Sequence, residues 1–295
     1  MRSALAWICA LVVVGLAGRA GGDEAYRASI LKWREAREAK LRSDAGWLSV
    51  AGLGWLKPGE NRFGTGPGLD VELPAGSAPA LAGVFVLKGA ETSVEIAAGV
   101  AARLGDKPLS GPTRLRPDSA DVVEIRDLSL QVIERGGRYG IRVRDNNAPA
   151  RREFTGCRWY DVKEDYRIEA KWVAYTKPRP VKVPNVLGQT EWIPSPGYAQ
   201  FQLGGKTVEL DGVLETPDAT EIWFILRDET SGKETYPGGR FLYSEMPKAG
   251  RIVLDFNKSY NPPCAFTAFA TCPLPPPRNW MPVRVEAGEL RYGKH

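Results

Sequence analysis

Between Arg251 and Val285 the chain gathers the side chains best suited to polar chemistry. An apolar, strand-like segment from Ile252 to Leu254 runs into Asp255, Asn257, Tyr260 and Asn261. Cys264 and Cys272 then bracket a short aromatic run inside proline-rich chain. Upstream, Thr235-Tyr236-Pro237-Gly238-Gly239 makes a glycine turn that delivers Arg240 to the start of a strand. The guanidinium fork fits a carboxylate or a phosphate, so Arg240 is a candidate anion-binding group. An arginine that is simply solvated or ion-paired in a hairpin is the other reading. Asp255 and Asn257, two residues apart, share a face if the strand continues through them, and would orient a ligand. Asp and Asn also cap turns in irregular chain, and that reading stands beside the first.

The exclusions are firmer. The only histidine is His295, the last residue, so no Ser-His-Asp or Cys-His arrangement and no histidine-based zinc spacing can be assembled. Gly205-Lys206-Thr207 resembles the end of a phosphate-binding loop, but the glycine required five positions earlier is Gln200. Gly64-Thr65-Gly66-Pro67-Gly68 lacks dinucleotide-fingerprint spacing and leads into no helix. No cofactor and no metal site is implied. Paired carboxylates can still hydrolyse bonds without histidine when their environments separate their pKa values. Asp255 with Arg240, and Glu286 or Glu289 as a second carboxylate, would be such a set.

The elements that must hold these residues read as mainly β. Strands are expected at Val84–Leu87, Thr92–Ile96, Asp121–Ile125, Leu128–Ile133, Arg138–Arg144, Tyr166–Tyr175, Gln200–Leu203, Thr207–Leu210, Ile222–Leu226, Ile252–Phe256 and Val283–Glu286. In Arg138–Arg144 the residues Tyr139, Ile141 and Val143 fall on one face and Arg138, Arg142 and Arg144 on the other. Gly136-Gly137 and Gly204-Gly205 are hairpin turns. Gly46-Trp47-Leu48 and Gly54-Trp55-Leu56 suggest a further hairpin with inward indoles, and Lys177–Pro184 an extended connection or edge. One amphipathic helix runs from Asp23, which would cap it, to Arg42, with Tyr26, Ile30, Trp33 and Leu41 near one face. Short, regularly spaced strands without intervening helices point to an antiparallel sandwich or barrel-like sheets, not to parallel α/β.

Residues 1–20 have the pattern of a secretory signal peptide: Arg2, an apolar core from Ala4 to Ala17, and small residues before Gly21. Residues 21–43 would then be the helix and 44–292 an all-β domain, with length admitting a subdivision near residue 115. Export implies a periplasmic or secreted protein with no stable membrane span after cleavage. Loss of Arg2 and Arg19, with no acid, lowers the formal charge from +5 to +3. That is no basic footprint for nucleic acid. Cys157, Cys264 and Cys272 remain. An oxidising compartment favours a Cys264–Cys272 disulfide with Cys157 left over; packed free thiols are the alternative, and a reactive cysteine lacks a histidine to activate it.

The run D-F-N-K-S-Y-N-P-P-C-A-F-T-A-F-A-T-C-P-L-P-P-P-R-N-W, preceded by T-S-G-K-E-T-Y-P-G-G-R-F-L, resembles a bacterial and archaeal family, domain of unknown function 1684. The N-terminal G-W-L-S-V-A-G-L-G-W-L-K-P-G-E-N-R-F-G is similar to the way that family begins, so the resemblance spans about residues 45–290. Trp280 stands where a small or aliphatic residue is usual. The resemblance implies no catalytic role. The expectation is an exported β protein that binds a small or carbohydrate-like anionic ligand at Arg240, Asp255, Asn257, Tyr260 and Asn261. A histidine-independent hydrolase and a purely structural envelope protein are the alternatives. Oligomeric state is not encoded legibly.

Overall fold

The computed structural model describes residues 8–293, with side chains from Asp23 onward. The expected leader and His295 lie outside the described side chains. The N-terminal helix spans Ile8–Arg42, so it begins well before Asp23 and Asp23 is not its cap. Among the described residues no helix is long and apolar enough to cross a membrane.

The remainder is mostly β, in several sheets. A six-stranded sheet runs in the order Val50–Trp55, Arg138–Asp145, Leu128–Arg135, Val122–Ile125, Arg103–Leu104 and Lys107–Pro108. A five-stranded sheet runs Val71–Glu72, Gly59–Gly64, Gly83–Lys88, Glu91–Ile96 and Thr113–Leu115. Phe63, Phe85 and Val94 from the second meet Val123, Leu130, Ile141 and Val143 from the first in one buried cluster, which gives this part sandwich character. Gly136 and Gly137 both take positive φ, which a tight turn between Arg135 and Arg138 requires.

A second buried cluster lies further along the chain. A four-stranded sheet runs Lys206–Gly212, Thr190–Leu203, Arg167–Pro184 and Arg251–Asp255, beside the pair Glu221–Leu226 and Arg240–Glu245. Trp172, Phe201, Leu210, Phe224, Leu242 and Leu254 pack together between them. Among the described residues no sheet closes into a barrel; the hydrogen-bonded order of each has two ends. One pair, Gly59–Gly64 with Val71–Glu72, is parallel.

Two local expectations are corrected, and a third is met. Trp47–Ser49 is a 3-10 turn and Val50–Trp55 pairs with Arg138–Asp145, so the two Gly-Trp-Leu pieces do not form a hairpin with each other. Lys177–Pro184 is extended and at an edge, as expected: it is the second half of an 18-residue strand and has a strand partner on one side only, Thr190–Ser195, past an irregular stretch after Ala174. Val283–Glu286 is not a strand. Val283, Val285 and Ala287 do point into the core, as their alternation requires, but their carbonyls meet other partners than a sheet neighbour.

Candidate ligand-binding cleft

Arg240 begins its strand directly after Gly239, whose positive φ of 89° makes the turn that the Pro-Gly-Gly spacing implies. Its side chain then runs into the core and is 0% exposed. One Nη donates to Asp228 Oδ2 at 2.8 Å and to the Val285 carbonyl at 3.1 Å, and the other donates to the Ala287 carbonyl. Asp228 in turn accepts from the amides of Thr230 and Val285. This is a closed, fully buried ion pair that fastens the irregular segment 283–287 to the sheet. Arg240 faces no open space, which removes it from a shared ligand pocket and from a hydrolytic pair with Asp255.

Asp255 ends its strand, and Phe256–Lys258 turns as a 3-10 helix. The two polar residues therefore do not project from one continuing strand. Asp255 Oδ1 instead caps the turn, accepting from the Asn257 amide at 3.2 Å. Asn257, fully buried, donates to the Lys163 carbonyl at 2.8 Å and accepts from the Lys163 amide at 3.0 Å. Asn261, also fully buried, donates to Glu289 Oε1 at 2.9 Å and to the Leu290 carbonyl at 2.8 Å.

The same residues dock the N-terminal helix. Tyr26 Oη donates to Asp255 at 2.8 Å, Arg34 to the Tyr160 carbonyl at 3.0 Å, and Arg37 to the Asn261 carbonyl at 3.0 Å. Glu38 accepts from the Cys157 amide and the Trp159 indole. Glu289 is wholly buried, 3.6 Å from Arg37 Nε, and burial pushes its carboxyl above the usual carboxylate range. Glu286 is half-buried and pairs with Arg284. The two candidate second carboxylates thus hold structure in different places.

Asp255 and Tyr260 do reach open space, together, in a cleft of about 1850 Å³. The helix contributes Trp33, Arg37 and Lys40 to it; the six-stranded sheet contributes Arg135 and Arg142. The end of the four-stranded sheet where Arg179–Pro184 pairs with Thr190–Ser195 contributes Glu191 and Trp192, which is 64% exposed. One wall is aromatic. Trp223 and Tyr243, paired across two strands, lie parallel with centroids 5.9 Å apart, and Tyr243 and Tyr260 lie parallel at 6.4 Å. Arg37 covers Tyr260 at 4.3 Å. Burial holds the Tyr243 and Tyr260 phenols neutral, well above their ordinary range, and Tyr243 donates to Glu215 at 2.7 Å. The Trp223 indole N–H is buried with no hydrogen-bond partner.

Cys264 and Cys272 are both thiols in this structure, so the expected bond is not formed in it. They stand close: the Cys264 amide donates to Cys272 Sγ at 3.1 Å. A hydrogen bond between the two thiols pulls the Cys264 thiol down and, with burial, pushes Cys272 up. Cys157 is a third free thiol.

Trp192, Trp223, Tyr243 and Arg142 were not among the site residues legible in the sequence. The strand patterns around 192, 223 and 243 show aromatic residues, yet nothing local says that three elements bring them to one wall.

The family model described as a protein of unknown function, DUF1684, matches residues 152–290. An uncharacterized protein of Haloarcula marismortui, known from a solution NMR structure, is 30% identical over 50% of this chain and 83% of that one, with a TM-score of 0.42. The chain belongs to the DUF1684 family. The matched range holds the Asp255–Asn261 cluster and the aromatic wall, whereas the motif from Gly46 to Gly64 lies outside it. Among curated proteins there is no match.

Proposed function

We propose that this chain is an exported binding protein that takes a carbohydrate-like, anionic ligand in the cleft, not at Arg240. The observation that carries this reading is the aromatic wall of Trp223, Tyr243 and Tyr260, with the exposed Trp192 at the rim. Flat apolar rings with polar edges suit the C–H faces of a sugar, and large rigid side chains cost little entropy on binding. The unpartnered Trp223 N–H and the neutral Tyr243 and Tyr260 hydroxyls supply directional polar groups beside the rings. A cleft of about 1850 Å³ has room for several sugar units. The lining carries acidic and basic side chains in equal number, so negative charge on the ligand would be met locally, by Lys40 on the helix side and by Arg135 and Arg142 on the sheet side. Export rests on the Arg2, apolar core and Ala20 pattern, and N-terminal sequencing of protein from its host should begin near Gly21.

A thermal-shift and calorimetric screen of neutral and acidic oligosaccharides tests the cleft. Binding to the intact chain should weaken at least tenfold in Trp192→Ala, whose own melting temperature should stay put because the side chain is exposed. Trp223→Phe, which removes one donor and keeps a ring, should weaken it less. Equal binding by Trp192→Ala, or no saccharide bound at all, sinks the reading.

A further inference from the structure

Arg142 sits mid-strand in Arg138–Asp145, on the face turned away from Ile141 and Val143. By alternation it belongs to a solvated row. Yet it is only 6% exposed, it lines the cleft, and its guanidinium lies 5.0 Å from the centre of the Trp47 ring. None of the ion pairs among the described residues includes it, and its Nε is buried with no hydrogen-bond partner. The nearby acids are committed elsewhere. Asp118 holds Arg135 at 3.0 Å and accepts from the Glu134 amide, while the Glu134 carboxylate accepts from the Gly137 amide. Cys272 is also near, but its raised pKa keeps it a neutral thiol and no counter-ion. Burial, reinforced by Arg135 and Arg144, pulls Arg142 down to about 10, which leaves it a cation at neutral pH.

A buried cation without a partner is costly, and an incoming anion that hydrogen-bonds it removes that cost. Trp47 lies against the guanidinium, and among the described residues neither Nη is engaged in a hydrogen bond or ion pair, so the fork has donors to offer. A carboxylate matches that geometry with two parallel N–H···O bonds. We propose that Arg142, backed by Trp47, is the subsite at which the cleft binds the carboxylate of an acidic saccharide. This rests on the carbohydrate reading of the cleft for the saccharide, and on Arg142 itself for the carboxylate.

The test titrates the full chain with sodium acetate, inorganic phosphate, glucuronate and glucose, following tryptophan emission, with Trp47→Phe to assign the signal to Trp47. Acetate and glucuronate should both perturb Trp47, glucuronate at least tenfold more tightly, and glucose should not. Arg142→Gln should abolish the acetate response and weaken glucuronate at least tenfold. Arg142→Lys keeps the charge without the fork and should fall between; it carries the test if circular dichroism shows the glutamine variant unfolded. Unchanged acetate and glucuronate affinity in these variants overturns the subsite and leaves the carbohydrate reading standing. Acetate as tight as glucuronate overturns the saccharide. Phosphate tighter than both overturns the carboxylate, and no response at Trp47 overturns the proposal entirely.

Discussion

The hydroxyl of Tyr26 donates to Asp255 Oδ1 at 2.8 Å, joining the N-terminal helix to the strand end that carries the densest polar motif of the chain. Asn257 Nδ2 donates to the same hydroxyl at 3.0 Å. The phenol is thereby both donor and acceptor in a partly buried triad, and burial, then Asp255, pushes its pKa up. Asp255 and Asn257 are consequently engaged in docking the helix and shaping the turn.

Tyr26→Phe should cost about 1–2 kcal/mol, because it removes one hydrogen bond and leaves two polar groups less satisfied. Urea denaturation measures it. The midpoint should fall with the slope unchanged, as expected when stability changes and the exposed surface does not. A midpoint equal to wild type would mean that the helix is held by its apolar face alone.

The buried pair should respond very differently to single and double replacement. Arg240→Met leaves Asp228 charged with no cation, and Asp228→Leu leaves Arg240 likewise; each should cost about 3–5 kcal/mol. The double variant replaces both charges by apolar groups among Val285, Ala287 and Leu226 and should recover much of that loss. Thermal denaturation of the three variants gives the coupling. Additive losses would mean that the two side chains act independently, against the 2.8 Å contact.

Much of the frame was legible locally. Alternation in Arg138–Asp145 identified Ile141 and Val143 as core, and paired glycines located the hairpins. The helix was readable from Tyr26, Ile30 and Leu41, although not its start at Ile8. What escaped were partners set by tertiary packing. Arg240 looked like a free guanidinium because Asp228 precedes it by twelve residues in another segment and its carbonyl acceptors lie at 285 and 287. Arg142 looked solvated because Trp47, which covers it, is almost a hundred residues away. The C-terminal cluster was correctly seen as dense and polar, but density alone does not separate a docking joint from a binding site.

Glu289 predicts the direction of a pH effect. Its folded pKa lies above the usual 4.5 because burial opposes the charged form, with Arg37 and Asn261 only partly offsetting it. The unfolded chain releases this proton at lower pH than the folded one. The contribution of Glu289 is therefore full below about 4.5 and is lost as pH rises through the folded pKa. Glu289→Gln keeps a side-chain oxygen for Asn261 and cannot ionise. The difference in unfolding free energy, wild type minus variant, should decline as pH is raised from 4 to 7. A rising difference would mean that Arg37 and Asn261 outweigh burial.

The thiol pair gives the last prediction. Cys264 and Cys272 enclose a short loop, and Pro262, Pro263 and Pro273 restrict its ends. The Cys264 amide already donates to Cys272 Sγ, and the hydrogen bond between the two thiols, which lowers the Cys264 pKa, makes the Cys264 sulfur the readier thiolate. With oxidised glutathione as oxidant, the Cys264 thiolate attacks it and expels reduced glutathione. Cys272 then loses its proton and displaces a second glutathione, closing the bond. The bond should add about 2–3 kcal/mol, modest because the loop is short. Non-reducing peptide mapping after treatment should find Cys264 linked to Cys272 and Cys157 alkylated only once the chain is unfolded, since burial raises its pKa and blocks its reaction. Two alkylatable thiols at 264 and 272 after full oxidation would show that the loop does not close and that the pair is held as packed thiols, and a Cys157 adduct on the folded chain would show that burial does not protect that thiol.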